Sequence, residues 1–282
     1  MRVSVILTTA SAADWLRKVL WGYRVQSHQE FELIIADDGS GPEVALLLQA
    51  FRCQTRRQVV HVWQPRAGFR KCQILNQAIR SATGDYLIFS DGDCIPSRDF
   101  VATHVRLARP GLGMSGGCIR LPQGLSHGLT EQDIFCGRYQ RPSWLWKNGL
   151  QSLPGLRKVT LAATGLGAWA DGFTSTRATF NGHNASVWRT DALQVNGFDE
   201  RMAYGGLDRE FGERLQHAGV QFRQVRHQAI CLHLFHTRPY ATVDSWQNNQ
   251  MIRNETRGSG RFWTPYGIEQ VGRLDTGPRL VG

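Results

Sequence analysis

Hydrophobic and polar positions in the first hundred residues alternate between short apolar runs and segments with a helical period. The apolar runs predict four strands, at residues 2–9, 31–40, 59–63 and 86–93. Between them, apolar residues recur at helical spacing and predict helices at residues 14–26, 43–52 and 70–82. Strands this apolar, each followed by a helix, are typical of a parallel sheet covered on both faces. The fold class is therefore predicted to be α/β.

The pattern changes beyond residue 110. Residues 110–180 are rich in Gly, Pro, Trp and Arg and predict loops and short helices. Regular periodicity then returns with a strand at 180–189, a helix at 207–219, a strand at 221–232 and a helix near 242–256. The last twenty residues show no periodicity, which is typical of a disordered tail.

Polar side chains collect where three predicted strands end: Thr8-Thr9, Asp37-Asp38 and Asp91-Gly92-Asp93. Ligands of parallel α/β sheets bind beyond the carboxyl ends of the strands. Hard divalent cations prefer carboxylate ligands, so one of Asp91 and Asp93 could bind a metal and the other a ribose. Asp-Gly is also a common turn, and Asp38 could cap the helix that follows it. Both interpretations stay open for each motif.

The charge of the chain narrows the ligand classes. Lys+Arg 33 against Asp+Glu 23 gives a net charge of +10, which fits a phosphate-bearing ligand, an anionic membrane surface or nucleic acid. Arg70 and Lys71 open a predicted helix, where the helix dipole favours anions. Two solvated charges would explain this pair equally well.

Several function classes can be excluded or disfavoured. Dinucleotide-binding dehydrogenases need a G-x-G-x-x-G turn after the first strand, and TTASAADW has no glycine there. Nucleotidyltransferases usually carry a Gly-rich phosphate loop right after the first strand, and the same segment lacks it. Nucleic-acid binding suits the charge but does not account for carboxylates at three strand ends. Six cysteines without a C-x-x-C pair favour a reducing compartment, and no apolar run could span a membrane, so we expect a soluble, cytoplasmic protein.

Four blocks now point to a family. VSVILTT, ELIIADDGS, GFRKCQILNQAI and GDYLIFSDGDCIP, in this order, resemble the nucleotide-binding half of GT-A fold glycosyltransferases, and more specifically the inverting enzymes of family two. NASVWRTDALQVNGFDERMAYGGLDREFGERL is similar to the carboxyl-terminal segment of β-1,4-galactosyltransferases and bacterial chondroitin-type polymerases. The resemblance covers roughly residues 2–100 and 180–238. It implies a Rossmann-like, mostly parallel central sheet flanked by helices and continuous with an acceptor-binding half.

The resemblance also implies a division of the chain. Residues 1–110 would form the nucleotide-sugar-binding half, and residues 111–179 a variable insertion or lid. Residues 180–260 would form the acceptor-binding and catalytic half, and residues 261–282 the tail.

Individual positions take roles from the same resemblance. Thr8 and Asp38 would contact the uracil end of the donor, and Arg70 would lie near the base or the phosphates. Asp91 would meet the ribose. Asp208 would be the general base, although an acid in the first turn of a helix is also stabilised by the helix dipole. Candidates for contact with the donor or acceptor sugar are Tyr204, Gly205, Gly206 and Asn184.

The implied metal site combines Asp93 with a late histidine, for which His236 is favoured over His233. Imidazole is a more natural ligand for Mn²⁺ than for Mg²⁺, so the expected cofactor is Mn²⁺ (or Mg²⁺). A buried pair of histidines would explain the same spacing.

The expected activity is that of a metal-dependent, inverting hexosyltransferase. It would move a sugar from a UDP-sugar to a hydroxyl of a glycan or lipid-linked acceptor, in the synthesis of a bacterial cell-surface polysaccharide. The alternative is a catalytically inactive or nucleic-acid-binding basic α/β protein, although no nucleic-acid partner is expected. Related galactosyltransferases read W-G-G-E-D-D-D where this chain has Tyr204-Gly205-Gly206-Leu207-Asp208-Arg209-Glu210, which leaves the sugar open.

A membrane contact is a separate expectation. Residues 138–159 interleave Arg and Lys with Trp144, Trp146, Leu150, Leu153 and Leu156. Such a segment suits the inner face of the plasma membrane. A packed insertion or mobile lid would explain it equally well.

Overall fold

A computed structural model describes residues 1–237 and 242–270, and the backbone of residues 279–281. In the first part of the chain the elements are β1 Val3–Thr9, α1 Ala13–Arg24, β2 Glu32–Asp38, α2 Pro42–Arg52, β3 Val59–Gln64, α3 Lys71–Ser81, β4 Tyr86–Asp91, β5 Cys94–Pro96 and α4 Phe100–Leu107. The middle part contains β6 Leu112–Ser115, β7 Gly117–Arg120, α5 Gln123–Gly128, α6 Glu131–Phe135, a 3₁₀ turn at Arg138–Gln140, α7 Pro142–Lys147, α8 Leu153–Ala163 and α9 Gly167–Gly172.

The last part contains β8 Asn184–Trp188, α10 Arg189–Gln194, α11 Leu207–His217, β9 Gln221–Gln224, β10 Ile230–His233, α12 Val243–Ser259 and β11 Arg279–Val281. None of the described helices combines the length and apolar content needed to cross a bilayer.

The main sheet has the strand order β11-β3-β2-β1-β4-β8-β6-β9. Its centre, β3-β2-β1-β4, is parallel, and all seven residues of β2 are buried because helices cover both faces. Along β1, Val5 and Leu7 face one hydrophobic cluster while Ile6 faces the other. The predicted α/β fold with a mostly parallel sheet is confirmed.

The predicted strand at 221–232 is wrong as a single element. It is two short strands, β9 and β10, that belong to different sheets. A turn separates them, in which Gln228 and Ala229 donate backbone hydrogen bonds to the carbonyl of Val225. β9 extends the edge of the main sheet beside β6, whereas β10 lies between β5 and β7 in a small second sheet.

Residues 110–180 contain more regular structure than the sequence indicated. The strands β6 and β7 join the main and the small sheet respectively, and α8 is eleven residues long. Residues 261–270 of the predicted tail are tied to the fold by Asn196, whose side-chain amide donates to the carbonyls of Thr264 and Glu269. Of that tail, residues 271–278 and 282 lie outside the described residues.

Candidate active site

The end of β4 is held to the end of β1 by side chains as well as by backbone. The parallel register pairs Thr8 with Asp91, and the Thr8 hydroxyl donates to Asp91 Oδ1 at 2.6 Å. Lys71 Nζ, from the first turn of α3, donates to the same oxygen at 2.7 Å. Burial alone would raise the pKa of Asp91, but the Lys71 ammonium and these two hydrogen bonds hold it well below its usual range. Asp91 is therefore held in its ionised form.

Lys71 connects this anion with the other carboxylates of the site. Burial alone would lower its pKa, but the charges of Asp91, Asp208 and Asp93 together raise it well above its usual value. The ammonium thus lies within the field of Asp91 and Asp93, from the end of β4 and the turn after it, and of Asp208, from a distant part of the sequence. These carboxylates therefore share one cleft.

Asp38 organises the loop that leads into α3. Its Oδ1 accepts a hydrogen bond from Gln64 Nε2 at 2.7 Å, and its Oδ2 accepts from the backbone N–H of Arg70 at 2.9 Å. The guanidinium of Arg70 donates to the carbonyl of Pro65. The chain passes closely here, because a β-carbon on Gly39 would lie 2.6 Å from Arg66 Cα. Asp38 and Arg70 therefore form one side of the strand-end cleft.

The turn after β4 has room only for glycine. Gly92 donates its backbone N–H to the Thr8 carbonyl at 2.7 Å, and a β-carbon on it would lie 2.9 Å from that oxygen. Asp93 follows directly, with its side chain 20% exposed. The tight turn therefore presents Asp93 to solvent at the strand-end edge.

Asp93 meets two histidines at the end of β10. His236 Nε2 lies 2.9 Å from Asp93 Oδ2, and His233 Nε2 lies 3.9 Å from Oδ1. The rings of the two histidines stack with their centroids 5.2 Å apart. The antiparallel pairing of His233 with Cys94 places β10 here, and the backbone N–H of Leu234 donates to the Asp93 carbonyl.

The histidine tautomers suit a cation. Nδ1 of His236 lies 2.8 Å from the Thr237 carbonyl, and Nδ1 of His233 lies 2.8 Å from the Leu234 carbonyl. A carbonyl can only accept, so Nδ1 carries the proton in each ring and Nε2 is left as a lone pair in the neutral form. In His236 that nitrogen faces a carboxylate oxygen at 2.9 Å, a contact that either a proton on Nε2 or a metal ion would satisfy. A carboxylate oxygen and an imidazole nitrogen are donors that Mn²⁺ accepts, so the residues present fit this ion.

Asp208 lies in the first turn of α11, against Gly182. A β-carbon on Gly182 would be 2.5 Å from Asp208 Oδ1, which is buried and has no hydrogen-bond partner among the described residues. Burial raises the pKa of Asp208, and the nearby Lys71 only partly opposes this. A carboxylate with a raised pKa and a free acceptor atom is suited to take a proton.

His183 is a member of the cleft that the sequence analysis missed. The antiparallel register that pairs Ser90 with Asn184 carries His183 towards Asp91. Burial alone would lower the pKa of His183, but a hydrogen bond with Cys118 and the charges of Asp91 and Asp208 raise it. His183 directly precedes β8, and β8 pairs with β4, the strand that ends in Asp91. The sequence shows the histidine, but the pairing of β4 with β8 was not evident from it.

Tyr204, Gly205 and Gly206 form the loop that leads into α11. The Tyr204 ring packs edge-to-face on Phe69 and on Trp246, with centroids 5.9 Å apart in each case. Gly205 has φ +104°, and a β-carbon there would lie 2.8 Å from the Trp246 indole. Trp246, half exposed on α12, was not selected from the sequence either.

The geometry speaks against the predicted sugar contact at Asn184. Its side chain is 0% exposed, and its amide donates to the carbonyls of Gly117 and Ala229 at 2.8 and 3.0 Å. Its Oδ1 lies 3.1 Å from His104 Nε2. With these polar atoms engaged inside the protein, Asn184 joins the main sheet to the small sheet.

A cavity of about 470 Å³ lies elsewhere, between α4, α8 and β10. Its lining residues include none of the carboxylates or histidines of the cleft. The candidate active site is therefore the open cleft at the strand ends rather than this cavity.

Comparison with known proteins identifies the family of the chain. The sequence model of Glycosyl transferase family 2 matches residues 4–153, more than half of the chain. The chain belongs to glycosyl transferase family 2. A second family model, described as N-terminal domain of galactosyltransferase, matches residues 170–237. Within this family 2 chain, the first match contains Asp91, Asp93 and Lys71, and the second contains Asp208 and both histidines.

The chain is also similar to two proteins of Bacillus subtilis, at low sequence identity. An uncharacterized glycosyltransferase of Bacillus subtilis, YfnE, is 25% identical over 88% of this chain and 69% of its own length. Protein CgeD of the same organism is 30% identical over 33% of this chain and 23% of its own length.

Two solved structures share the fold. A mannosyltransferase of Pyrobaculum calidifontis, in complex with GDP-Man and Mn²⁺, has a TM-score of 0.56 and 20% identity over 85% of this chain. Staphylococcus aureus TarS 1-349, in complex with UDP-GlcNAc, has a TM-score of 0.57 and 15% identity over 89%. The matched regions span 58% and 65% of those two chains. At these identities the likeness establishes the GT-A fold alone.

Proposed function

We propose that this family 2 glycosyltransferase transfers a sugar, with inversion, from a UDP-sugar to a hydroxyl of a glycan or lipid-linked acceptor. The observation that carries the proposal is the Lys71 ammonium, which lies 2.7 Å from Asp91 Oδ1 at the start of the turn that carries Asp93, and whose pKa is raised by Asp208 as well. One cleft then holds anion-binding groups and a separate carboxylate base. The pathway that we propose is the synthesis of a cell-surface polysaccharide.

In the proposed donor site, Thr8, Asp38 and Arg70 bind the nucleoside and Asp91 the ribose. Asp91 is held ionised, so it can accept from ribose hydroxyls. The structure of TarS with UDP-GlcNAc supports a uridine donor, while the mannosyltransferase with GDP-Man makes a GDP-sugar the closest competitor.

Asp93 and His236 are the residues that would hold the metal, with His233 beside them. A divalent cation there would offset the negative charge of the departing diphosphate. The Mn²⁺ in the mannosyltransferase complex supports a metal of this kind. Lys71, at the start of α3, adds a positive charge and a helix N-terminus to the same cleft.

Asp208 is the proposed base. As the acceptor oxygen attacks the anomeric carbon, Asp208 takes the hydroxyl proton and the bond between that carbon and the diphosphate breaks. The diphosphate leaves from the opposite face, so the configuration inverts without a covalent enzyme intermediate. Gly182, which contacts the carboxylate, keeps the base in place.

A donor screen tests the proposal. Hydrolysis of UDP-, GDP- and CDP-sugars is measured with Mn²⁺, with Mg²⁺ and with EDTA, and UDP binding is measured by calorimetry. We expect metal-dependent hydrolysis of a UDP-sugar, and expect Asp208→Asn to abolish sugar transfer while UDP binding is kept. Metal-independent turnover, or loss of UDP binding together with transfer, would contradict the assigned roles.

A further inference from the structure

Large apolar side chains are exposed around α9, in the segment between β7 and β8. Leu166, Trp169 and Phe173 are 54%, 65% and 75% exposed. Trp169 and Phe173 are four residues apart, and their ring centroids are separated by 4.9 Å. We call these three residues the aromatic patch. Contiguous exposed apolar side chains of this size are unfavourable in water and indicate a binding surface.

The charges of this segment are almost all positive. Residues 137–180 contain six basic residues, Arg138, Arg141, Lys147, Arg157, Lys158 and Arg177. The only acid in that range of the sequence is Asp171, whose side chain is 4% exposed. Its two oxygens face His227 and Gln228, so it is directed away from solvent. The segment therefore favours a partner of negative charge.

Basic side chains also lie next to the aromatic patch in space. The Arg226 guanidinium donates to Thr176 Oγ1, and Gln224 donates to the Arg177 carbonyl at 3.3 Å. These bonds fix the chain just after Phe173. The Lys158 ammonium, by contrast, donates to the Cys118 carbonyl at 3.1 Å and is held against the protein. The exposed Arg177 and the half-buried Arg226 thus form a basic rim.

The surface differs from the one predicted from the sequence. Within residues 138–159, Leu150 is buried and Trp144 and Leu156 pack on the hydrophobic core, whereas Trp146 and Leu153 are exposed. Part of that amphipathic pattern therefore reflects packing inside the protein. The exposed aromatic pair lies further along the chain.

We propose that the aromatic patch and its basic rim dock on an anionic lipid bilayer. Aromatic and aliphatic side chains would enter the interface, while Arg177 and Arg226 would meet the lipid headgroups. The patch is connected to the cleft, because residues 174–181 join Phe173 to Gly182, which contacts Asp208. A docked protein would present a lipid-linked acceptor to Asp208, and this part of the inference rests on the proposed function. The docking itself does not rest on it.

Co-sedimentation of the full chain with vesicles tests the docking. Vesicles of phosphatidylcholine alone are compared with vesicles that also contain phosphatidylglycerol, at low and at high salt. We expect binding to the anionic vesicles that weakens as salt is added. Trp169→Ser with Phe173→Ser should weaken it about tenfold or more, since two apolar side chains no longer enter the interface. Arg177→Gln should weaken it about fivefold.

Leu46→Ser is the matched control, because Leu46 is 64% exposed on α2 and lies outside the patch. It should leave vesicle binding unchanged, and hydrolysis of a soluble UDP-sugar should be unchanged in all these variants. Circular dichroism confirms that each variant is folded.

Three results would overturn the inference. The first is no binding of the wild-type chain to anionic vesicles. The second is equal binding by the wild type and the Trp169→Ser, Phe173→Ser variant. The third is self-association in sedimentation velocity that the double substitution abolishes, which would assign the patch to a second copy of this chain. None of these depends on turnover, so the docking and the proposed function can fail separately.

Discussion

The carboxylate of Asp208 occupies the space in which residue 182 would carry a side chain. A β-carbon on Gly182 would lie 2.5 Å from Oδ1 and 2.9 Å from Cγ. Both atoms belong to the carboxyl group itself, so the neighbour that must move is the proposed base.

Gly182→Ala is therefore expected to reduce kcat about 100-fold, since small displacements of a catalytic group carry costs of this size. Steady-state kinetics and UDP binding measure the effect. UDP binding should be kept, because Asp208 is not part of the nucleotide site. Gly128→Ala is the control, because a β-carbon there would have nothing within 4 Å. A kcat for Gly182→Ala equal to that of the wild type would show that Asp208 is not the base.

The pH profile should report the environment of Asp208. Burial raises its pKa and so does the charge of Asp91, whereas Lys71, a backbone hydrogen bond from Gly182 and His183 lower it. The base must be ionised to act, so kcat/KM should fall as the pH drops through a pKa above about 3.9, the usual value for Asp. Lys71→Met removes an opposing cation and should move the acid limb to higher pH. Lys147→Met, at an exposed site on α7, should leave the limb in place. A limb that moves to lower pH in Lys71→Met would contradict this electrostatic relation.

The two histidines should differ in their effect on metal binding. His236 Nε2 lies 2.9 Å from Asp93 Oδ2, whereas His233 Nε2 lies 3.9 Å from Oδ1. We expect His236→Ala to weaken Mn²⁺ binding about 100-fold or more and His233→Ala to weaken it about tenfold. Mn²⁺ titration followed by electron paramagnetic resonance measures both without turnover. The opposite order of effects would make His233 the ligand.

Asn184→Ala should act on stability. It leaves the carbonyls of Gly117 and Ala229 without their side-chain donor, and both are in the interior. We expect a loss of about 2–4 kcal/mol in the free energy of unfolding, since the variant loses these two buried hydrogen bonds and the contact of Asn184 Oδ1 with His104 Nε2, and each buried hydrogen bond contributes about 0.5–1.5 kcal/mol. Urea denaturation measures it. Asn254→Ala, on the exposed face of α12, should change stability by less than about 0.5 kcal/mol. A similar small change at Asn184 would show that its amide does not join the two sheets.

The nucleotide half could be predicted from the sequence because its strands are buried on both faces. Every residue of β2 is buried, so the strand reads as an unbroken apolar run that ends in Asp37-Asp38. Asp38, Asp91 and Asp93 were found for the same reason, since strand ends are visible as the point where apolar residues give way to acids. Asp208, at the start of a helix, was found only through the family resemblance.

Other parts depend on pairings between distant segments. The predicted strand at 221–232 contains a turn because Asp171, far away in the chain, holds His227 and Gln228. His183 entered the cleft only because β8 pairs with β4. Lys71 rather than Arg70 reaches Asp91, which follows from the direction in which each side chain leaves the helix start. None of these facts is contained in a local pattern of the sequence.

The small sheet β5-β10-β7 has a consequence for the order in which the chain folds and binds metal. Asp93 lies just before β5, whereas His233 and His236 are delivered by β10, from the other end of the sequence. A nascent chain that ends before β10 would possess Asp93 without the two imidazoles, His233 and His236, that lie beside it. Affinity for a divalent ion would therefore arise only once the late strand has inserted between its two neighbours, and metal uptake would mark the completion of folding.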